Sequence, residues 1–222
     1  MGTISVNKLG GLALILGPLV ALIFYLLQPG GSFIDAADPA NAGETINAMV
    51  SNATLGKVVS ILVPIGLIVF LLGIFVLQGN VSSNGSGNAL ARVGAHFILF
   101  GVIGWVISTG ASLAITGSGL PAETATQIYG SLYAATLGIG TVAGILAGIG
   151  FLSFALGLST RDDCNQIAAL VVAIASIVLI VVTIIGGVDS SQLETMSLIT
   201  GICFLITTLW SIMLGMDLLK KE

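Results

Sequence analysis

The chain of 222 residues is 56% hydrophobic and only 7% charged, with a mean hydropathy of +1.13. Since a soluble domain carries about a quarter charged residues, this composition excludes a water-soluble globular protein and predicts a chain embedded in lipid. The formal net charge is −4 and the six Lys and Arg residues form no cluster, which argues against a nucleic-acid partner.

Six apolar runs are long enough to cross a bilayer as helices, which requires about 20 residues each. The predicted spans are residues 9–27, 55–77, 93–116, 128–158, 167–185 and 196–219. A long polar loop, residues 28–54, separates the first two, and its segment ETINAMVSNA is typical of a short interfacial helix. Pro121 and Glu123 are expected to open the fourth helix. The sequence therefore predicts one all-α transmembrane domain, residues 1–222, built as a six-helix bundle.

We expect neither a cleaved signal peptide nor a disulfide bond in this chain. The first apolar run is longer than a signal-peptide core, and QPGGSF follows it instead of a cleavage site, so we expect it to be retained as a span. Cys164 lies in a predicted loop and Cys203 in an apolar helix, so we expect two free thiols.

The charged residues predict how the bundle is oriented. With the N-terminus inside, the basic residues on that side are Lys8, Arg92, Arg161, Lys220 and Lys221, against Lys57 alone on the other. The acidic residues on the outer side are Asp35, Asp38, Glu44, Glu123, Asp189 and Glu194. By the positive-inside rule, both termini are predicted to be cytoplasmic, in a prokaryotic-type cytoplasmic membrane.

Two spans share a sequence pattern that indicates an internal repeat. Residues 55–73 and 139–157 align without a gap and are identical at nine of nineteen positions. About two or three matches would arise by chance in so apolar an alphabet. The preceding spans correspond at the same offset of 84, with Gly10 opposite Gly94 and Gly17 opposite Gly101. We therefore predict three helical hairpins in parallel orientation, two clearly related and a third diverged, in which Gly215 is the equivalent of the glycines that end the matched segments.

Small residues are the main candidates for helix packing. The candidate positions are Gly56, Ser60, Gly140, Gly144 and Gly148. The last three form two overlapping GxxxG steps, which let helix backbones approach closely. Packing within the bundle is the primary interpretation, and docking to another subunit or lining a narrow pore is the alternative.

The search for chemistry gives a single weak candidate. His96 is predicted about one turn inside Arg92, near the membrane interface, pointing away from the glycine face of its helix. It is expected to be an interfacial histidine bonded to water or a carbonyl; the alternative is a pH-sensitive group or one metal ligand. The hydroxyls expected to bond local carbonyls are Ser108, Thr109, Ser112, Thr207, Thr208 and Ser211.

No catalytic, cofactor-binding or metal-binding set is predicted, and bound lipids are the only expected small-molecule partners. The function predicted is therefore that of a non-enzymatic accessory or structural subunit, packed against other membrane proteins or in a homo-oligomer. The alternative is a channel or facilitative transporter for a small neutral solute, which the hydroxyl-rich spans and the parallel repeat favour.

Overall fold

The computed structural model describes residues 4–82, 85 and 87–221, and within these the chain forms helices, turns and one isolated β-bridge between Pro29 and Ile34. The helices are α1 (Val6–Leu26), α2 (Ala42–Ser51), α3 (Ala53–Ser82), α4 (Asn88–Gly117), α5 (Ala122–Ser159), α6 (Gln166–Val188) and α7 (Leu193–Leu219), with a short 3₁₀ helix at Ser190–Gln192. The all-α prediction is confirmed. Six of these helices coincide with the predicted spans, and part of the predicted loop 28–54 is the helix α2.

Polar side chains set several of the helix starts. The side chain of Asn41 accepts hydrogen bonds from the backbone amides of Gly43 and Glu44 and donates back to the Glu44 carboxylate at 2.8 Å. Asn165 caps α6 in the same way, by accepting from the amide of Ala168. These caps satisfy amides that lack partners inside the helix, so short polar connections suffice between the apolar spans.

The six long helices form a closed ring in the order α1, α3, α4, α5, α6, α7 and back to α1. Neighbours in the ring are antiparallel, as shown for α1 and α7 by the contacts of Gly11 with Gly215 and of Leu14 with Ser211. Helices α3 and α5 consequently run in the same direction, as the three-hairpin prediction requires. We call the end that holds both chain termini the terminal end and the opposite one the distal end.

Helix α5 projects beyond α6 at the distal end. Helix α5 has 38 residues and is about 57 Å long, whereas α6 has 23 residues and is about 35 Å long. Gly187, near the end of α6, lies against Thr141, so residues 122–140 of α5 extend past α6. The short helix α2 packs on this projection and covers one side of it.

Large side chains from several helices meet inside the ring. Phe154 of α5 is fully buried, with its ring centroid 6.3 Å from that of Trp210 on α7. Leu14, Ile74 and Leu218 are buried in the same cluster. The terminal half of the ring therefore encloses a packed apolar core.

Candidate functional site

The closest approach of α1 and α3 is at glycines. A Cβ placed on Gly66 would lie 2.7 Å from the carbonyl oxygen of Gly17 and 2.6 Å from the amide nitrogen of Ala21. A Cβ on Gly73 would lie 3.0 Å from the carbonyl oxygen of Gly10. Because these neighbours are backbone atoms, any side chain at Gly66 or Gly73 would push the two helices apart.

Helices α4 and α5 approach each other through the same kinds of atoms. A Cβ on Gly150 would lie 2.9 Å from the carbonyl oxygen of Gly94 and 2.6 Å from the amide nitrogen of Ile98. A Cβ on Gly157 would lie 2.8 Å from the carbonyl oxygen of Gly87, which has a φ of +74°. The second hairpin thus reproduces the backbone-to-backbone crossing of the first.

These contacts show that α1 and α4, the first helices of the two hairpins, correspond at an offset seven residues different from the one predicted. Gly66 and Gly150 are 84 positions apart, as the sequence match requires, but their partners Gly17 and Gly94 are only 77 apart. The predicted equivalence of Gly17 with Gly101 is therefore wrong by seven residues, about two helical turns, and Gly17 corresponds to Gly94 instead. The two hairpins differ in length: 49 residues separate the crossing glycines in the first and 56 in the second, and α4 and α5 continue further past their crossing than α1 and α3 do.

The third hairpin closes the ring by a different contact. Gly215 of α7 was predicted to match Gly73 and Gly157, which each face the first helix of their own hairpin. Instead, a Cβ on Gly215 would lie 2.6 Å from the carbonyl oxygen of Gly11 on α1, in the neighbouring hairpin. Gly215 therefore differs from Gly73 and Gly157 in its contacts, because it packs between two hairpins and not within one.

Two of the predicted packing residues lie on α3. A Cβ on Gly56 would meet the side chain of Thr116 on α4 at 2.6 Å. Ser60 is buried, with 6% of its surface exposed. Gly56 therefore packs at the contact of α3 with α4, and Ser60 lies buried within the bundle.

The three glycines of the predicted GxxxG run on α5 divide into two kinds. Gly144 and Gly148 lie against α6, where a Cβ would approach the side chains of Thr183 and Ile180 at 2.9 and 2.6 Å. A Cβ on Gly140 would meet no neighbouring atom within 4 Å. On α5 the sequence pattern favoured the glycines spaced by four. The backbone crossings of α5 with α4 occur instead at Gly150 and Gly157, seven residues apart, which were not among the predicted packing residues.

Aromatic rings reach across the ring of helices. The ring centroids of Phe70 on α3 and Phe151 on α5 are 6.0 Å apart, and those of Trp105 on α4 and Phe204 on α7 are 5.3 Å apart. Distances of this size are typical of packed aromatic pairs. The centre of the ring at these levels is therefore occupied by side chains.

Hydroxyl groups on the spans donate to backbone carbonyls. Thr109 and Thr207 donate to carbonyl oxygens of their own helices at 3.0 and 2.9 Å, which confirms the expectation for these two residues. Ser211 donates instead across the α7–α1 crossing, to the carbonyl oxygen of Leu14 at 2.7 Å. These three donors are engaged in structural hydrogen bonds and are not presented to a solute.

Helix α2 and the segment before it pack on the distal parts of α4 and α5 and form what we call the distal cap. Its apolar centre comprises Ile46, Met49, Ile115, Ala125 and Tyr133. The Tyr133 hydroxyl donates to the carbonyl oxygen of Pro39 at 2.8 Å, which ties α5 to the segment before α2. The sequence predicted a helix here, but nothing in the pattern of α2 alone identified α5 as its partner.

An ionic cluster lies at the terminal end, in the loop after α5. The Arg161 guanidinium, with 8% of its side chain exposed, forms a bidentate pair with Asp163 at 2.8 and 3.1 Å. Lys221 binds the same carboxylate at 2.9 Å and so connects the chain after α7 to this loop. The hydrogen bonds from Arg161 and then Lys221 hold the pKa of Asp163 well below its usual range. Burial raises the pKa of the neighbouring Cys164 thiol.

Asp163→Asn is expected to lower the free energy of unfolding by about 1–2 kcal/mol at pH 7, because it leaves the buried Arg161 without its carboxylate. The effect is at the low end for a buried pair because 41% of the Asp163 side chain is exposed and solvent screens it. SDS titration of the protein in mixed micelles measures this difference.

The depressed pKa of Asp163 fixes the sign of the pH dependence. Wild type should keep its advantage over the variant above the unfolded pKa of about 3.9 and lose it progressively as the pH falls towards the folded pKa. Asp162→Asn, which alters the neighbouring acid, is the matched control and should change stability by less than about 0.5 kcal/mol. Equal losses in both variants would contradict the assignment of the ion pair.

His96 lies on the outward face of α4, exposed, as the sequence predicted. Its Nδ1 is 2.7 Å from the carbonyl oxygen of Arg92; since a carbonyl only accepts, Nδ1 is the donor. Together with Val93, Phe97 and Phe100, these two residues line a shallow groove on the surface of the bundle. Among the described residues no group of three or more His, Cys, Asp and Glu side chains is placed to hold a metal ion.

The fold defines the class of this chain: a multi-pass membrane protein, in which six of the described helices are long and apolar enough to span a bilayer. No protein-family model matches the chain, and neither a curated protein nor a solved structure is significantly similar to it.

Proposed function

We propose that the protein is a non-enzymatic accessory subunit that packs against another membrane protein in a larger complex. It would lie with both termini cytoplasmic in a prokaryotic-type membrane, as its basic residues favour, and its first two hairpins would be copies of one ancestral unit. The matching backbone contacts at Gly66 and Gly150 support the common origin.

The observation that carries the proposal is an exposed face of small residues on α5. Ser131, Ala134, Ala135 and Gly138 are all exposed and share one side of the helix. A Cβ on Gly138 would meet no neighbouring atom within 4 Å. Small side chains allow another helix to approach closely in a membrane, and this chain uses glycines for that purpose at its own crossings.

The interior of the bundle supports a packing role better than a solute pathway. Phe70 meets Phe151, and Trp105 meets Phe204, where a central pathway would pass. The hydroxyl of Ser211 is already bonded to a backbone carbonyl. These contacts favour the accessory subunit over the channel alternative.

Gly138→Leu is expected to release the protein from its complex while leaving it folded, because leucine would fill the space that a partner helix needs. We expect association to fall about tenfold, equivalent to 1.4 kcal/mol of lost contact. Native electrophoresis of gently solubilised membranes, with mass spectrometry of the co-migrating proteins, measures the loss.

Gly110→Leu is the matched control, since Gly110 is an exposed glycine on α4 with equally open surroundings. It should leave the complex intact. The proposal is contradicted if the wild type migrates alone, if both variants dissociate equally, or if the complex contains only copies of this chain.

A further inference from the structure

We propose that the groove around Arg92 and His96 binds a phospholipid with an anionic headgroup. The groove is lined by Arg92, Val93, His96, Phe97 and Phe100, all from the side of α4 that faces away from the ring. It therefore opens towards lipid, on a surface separate from the small-residue face of α5.

Arg92 supplies a positive charge that no acidic side chain neutralises within residues 4–82, 85 and 87–221. Three basic residues of the terminal end, Arg161, Lys220 and Lys221, form ion pairs with Asp163 or Asp217. Arg92 is exposed and pairs with no acidic residue in the described part of the chain. A guanidinium near the membrane surface matches the phosphodiester of a lipid headgroup in both charge and geometry.

The groove changes from polar to apolar with depth, as a lipid does. At 1.5 Å per residue, His96 lies about 6 Å and Phe100 about 12 Å deeper along the helix than Arg92. Phe100 is 55% exposed and Phe97 half-buried, so aromatic surface is available to an acyl chain below the headgroup. The charged and apolar ends of the groove thus correspond to the headgroup and the upper acyl chain of one lipid.

His96 shapes the middle of the groove. Its Nδ1 hydrogen bond to the Arg92 carbonyl, at 2.7 Å, fixes the imidazole along the helix. This bond leaves Nε2 free of described protein partners, at the level between the phosphate and the acyl chains. Nε2 is therefore available to a polar group of the lipid glycerol region.

Native mass spectrometry of the full-length protein, released from micelles containing equal amounts of phosphatidylglycerol and phosphatidylcholine, tests the proposal. We expect wild type to retain phosphatidylglycerol preferentially. Arg92→Gln should reduce that preference about fivefold, the value of one basic group near an anionic membrane surface. Lys8→Gln is the matched control, because Lys8 is an exposed basic residue of the same end outside the groove, and it should change the preference by less than about twofold.

Two further measurements locate the lipid and identify its source. With tryptophan at position 100 (Phe100→Trp), acyl-brominated phosphatidylglycerol should quench the added fluorescence more than brominated phosphatidylcholine does, and Arg92→Gln should remove the difference. An excess of soluble glycerol phosphate should leave the bound lipid in place. Equal effects of Arg92→Gln and Lys8→Gln, equal quenching by the two lipids, or displacement by glycerol phosphate would each overturn the site.

Discussion

Replacing Gly94 with valine is expected to destabilise the protein as much as any single change at a helix crossing that leaves it folded. A Cβ at this position would lie 2.6 Å from both the carbonyl oxygen of Gly150 and the amide nitrogen of Phe154. Both are backbone atoms of α5, so no rotamer change relieves the overlap, and the two helices must separate. We expect a loss of about 3 kcal/mol, the upper end for overpacked sites and a large share of a typical stability of 5–15 kcal/mol.

Gly110→Val is the control for this prediction, because it introduces the same side chain into the same helix where no neighbouring atom lies within 4 Å. SDS titration and the yield of monodisperse protein in detergent measure both variants. Gly17→Val should match Gly94→Val, since Gly17 faces the corresponding backbone atoms of α3. If Gly94→Val were as stable as Gly110→Val, the close crossing of α4 and α5 would be refuted.

Tyr133→Ala is expected to detach the distal cap while leaving the membrane-spanning ring folded. Tyr133 is only 7% exposed, and it packs in the cap core and donates a hydrogen bond to Pro39. Truncation removes both interactions, and comparable aromatic-to-alanine changes cost about 3–5 kcal/mol. Because that cost falls on a short helix held by one small core, we expect local unfolding of α2 rather than global unfolding.

Cleavage at Glu44 by a glutamate-specific protease reports this opening, because the exposed residue lies within helix α2 and a protease requires the helix to unfold. Tyr133→Ala should be cut at Glu44 much faster than wild type. Tyr133→Phe loses only the hydroxyl, worth about 1 kcal/mol, and should give an intermediate rate. Cleavage at the wild-type rate in Tyr133→Ala would show that the cap is held by other contacts.

Hydrophobicity, together with the positions of prolines and short polar segments, was sufficient to predict the helices of this fold. Long apolar runs in lipid have no alternative to the helix, because every backbone polar group must be satisfied internally. Pro121 marked the start of α5 within one residue, and short polar connections implied antiparallel neighbours. Successive spans alternate in direction, so the second and fourth spans, α3 and α5, were expected to run the same way.

The register between helices could not be predicted in the same way. Gly87, Gly94 and Gly101 recur every seven residues. If α4 were shifted along α5 by seven residues, a glycine of α4 would still lie at most of the close contacts between the two helices. The sequence match of the following helices therefore does not determine which glycine of α4 faces Gly150. That choice depends on how far α4 and α5 continue past their crossing, which the repeated glycines do not specify.

The features of the candidate surfaces were also predictable only in part. The exposure of His96 and its carbonyl partner followed from helical periodicity and from the few polar groups available. The bidentate pair of Arg161 with Asp163 did not, because residues two apart in a loop meet only when the turn geometry brings them together. The face of Ser131 and Gly138 was also missed, since its exposure depends on where α6 ends.

Disulfide trapping between α4 and α5 tests the crossing on which the account depends. A Cβ on Gly104 would lie 2.7 Å from the Cβ of Ala143. Moving these two side-chain carbons apart by about 1 Å brings them to the spacing of a disulfide, so Gly104→Cys with Ala143→Cys should cross-link in a background lacking Cys164 and Cys203. The register inferred from sequence alone is shifted by seven residues and would place Ala111 opposite Ala143 instead. We predict efficient cross-linking of the 104/143 pair and little of the 111/143 pair; the reverse pattern, or no cross-link in either, would contradict the glycine crossing.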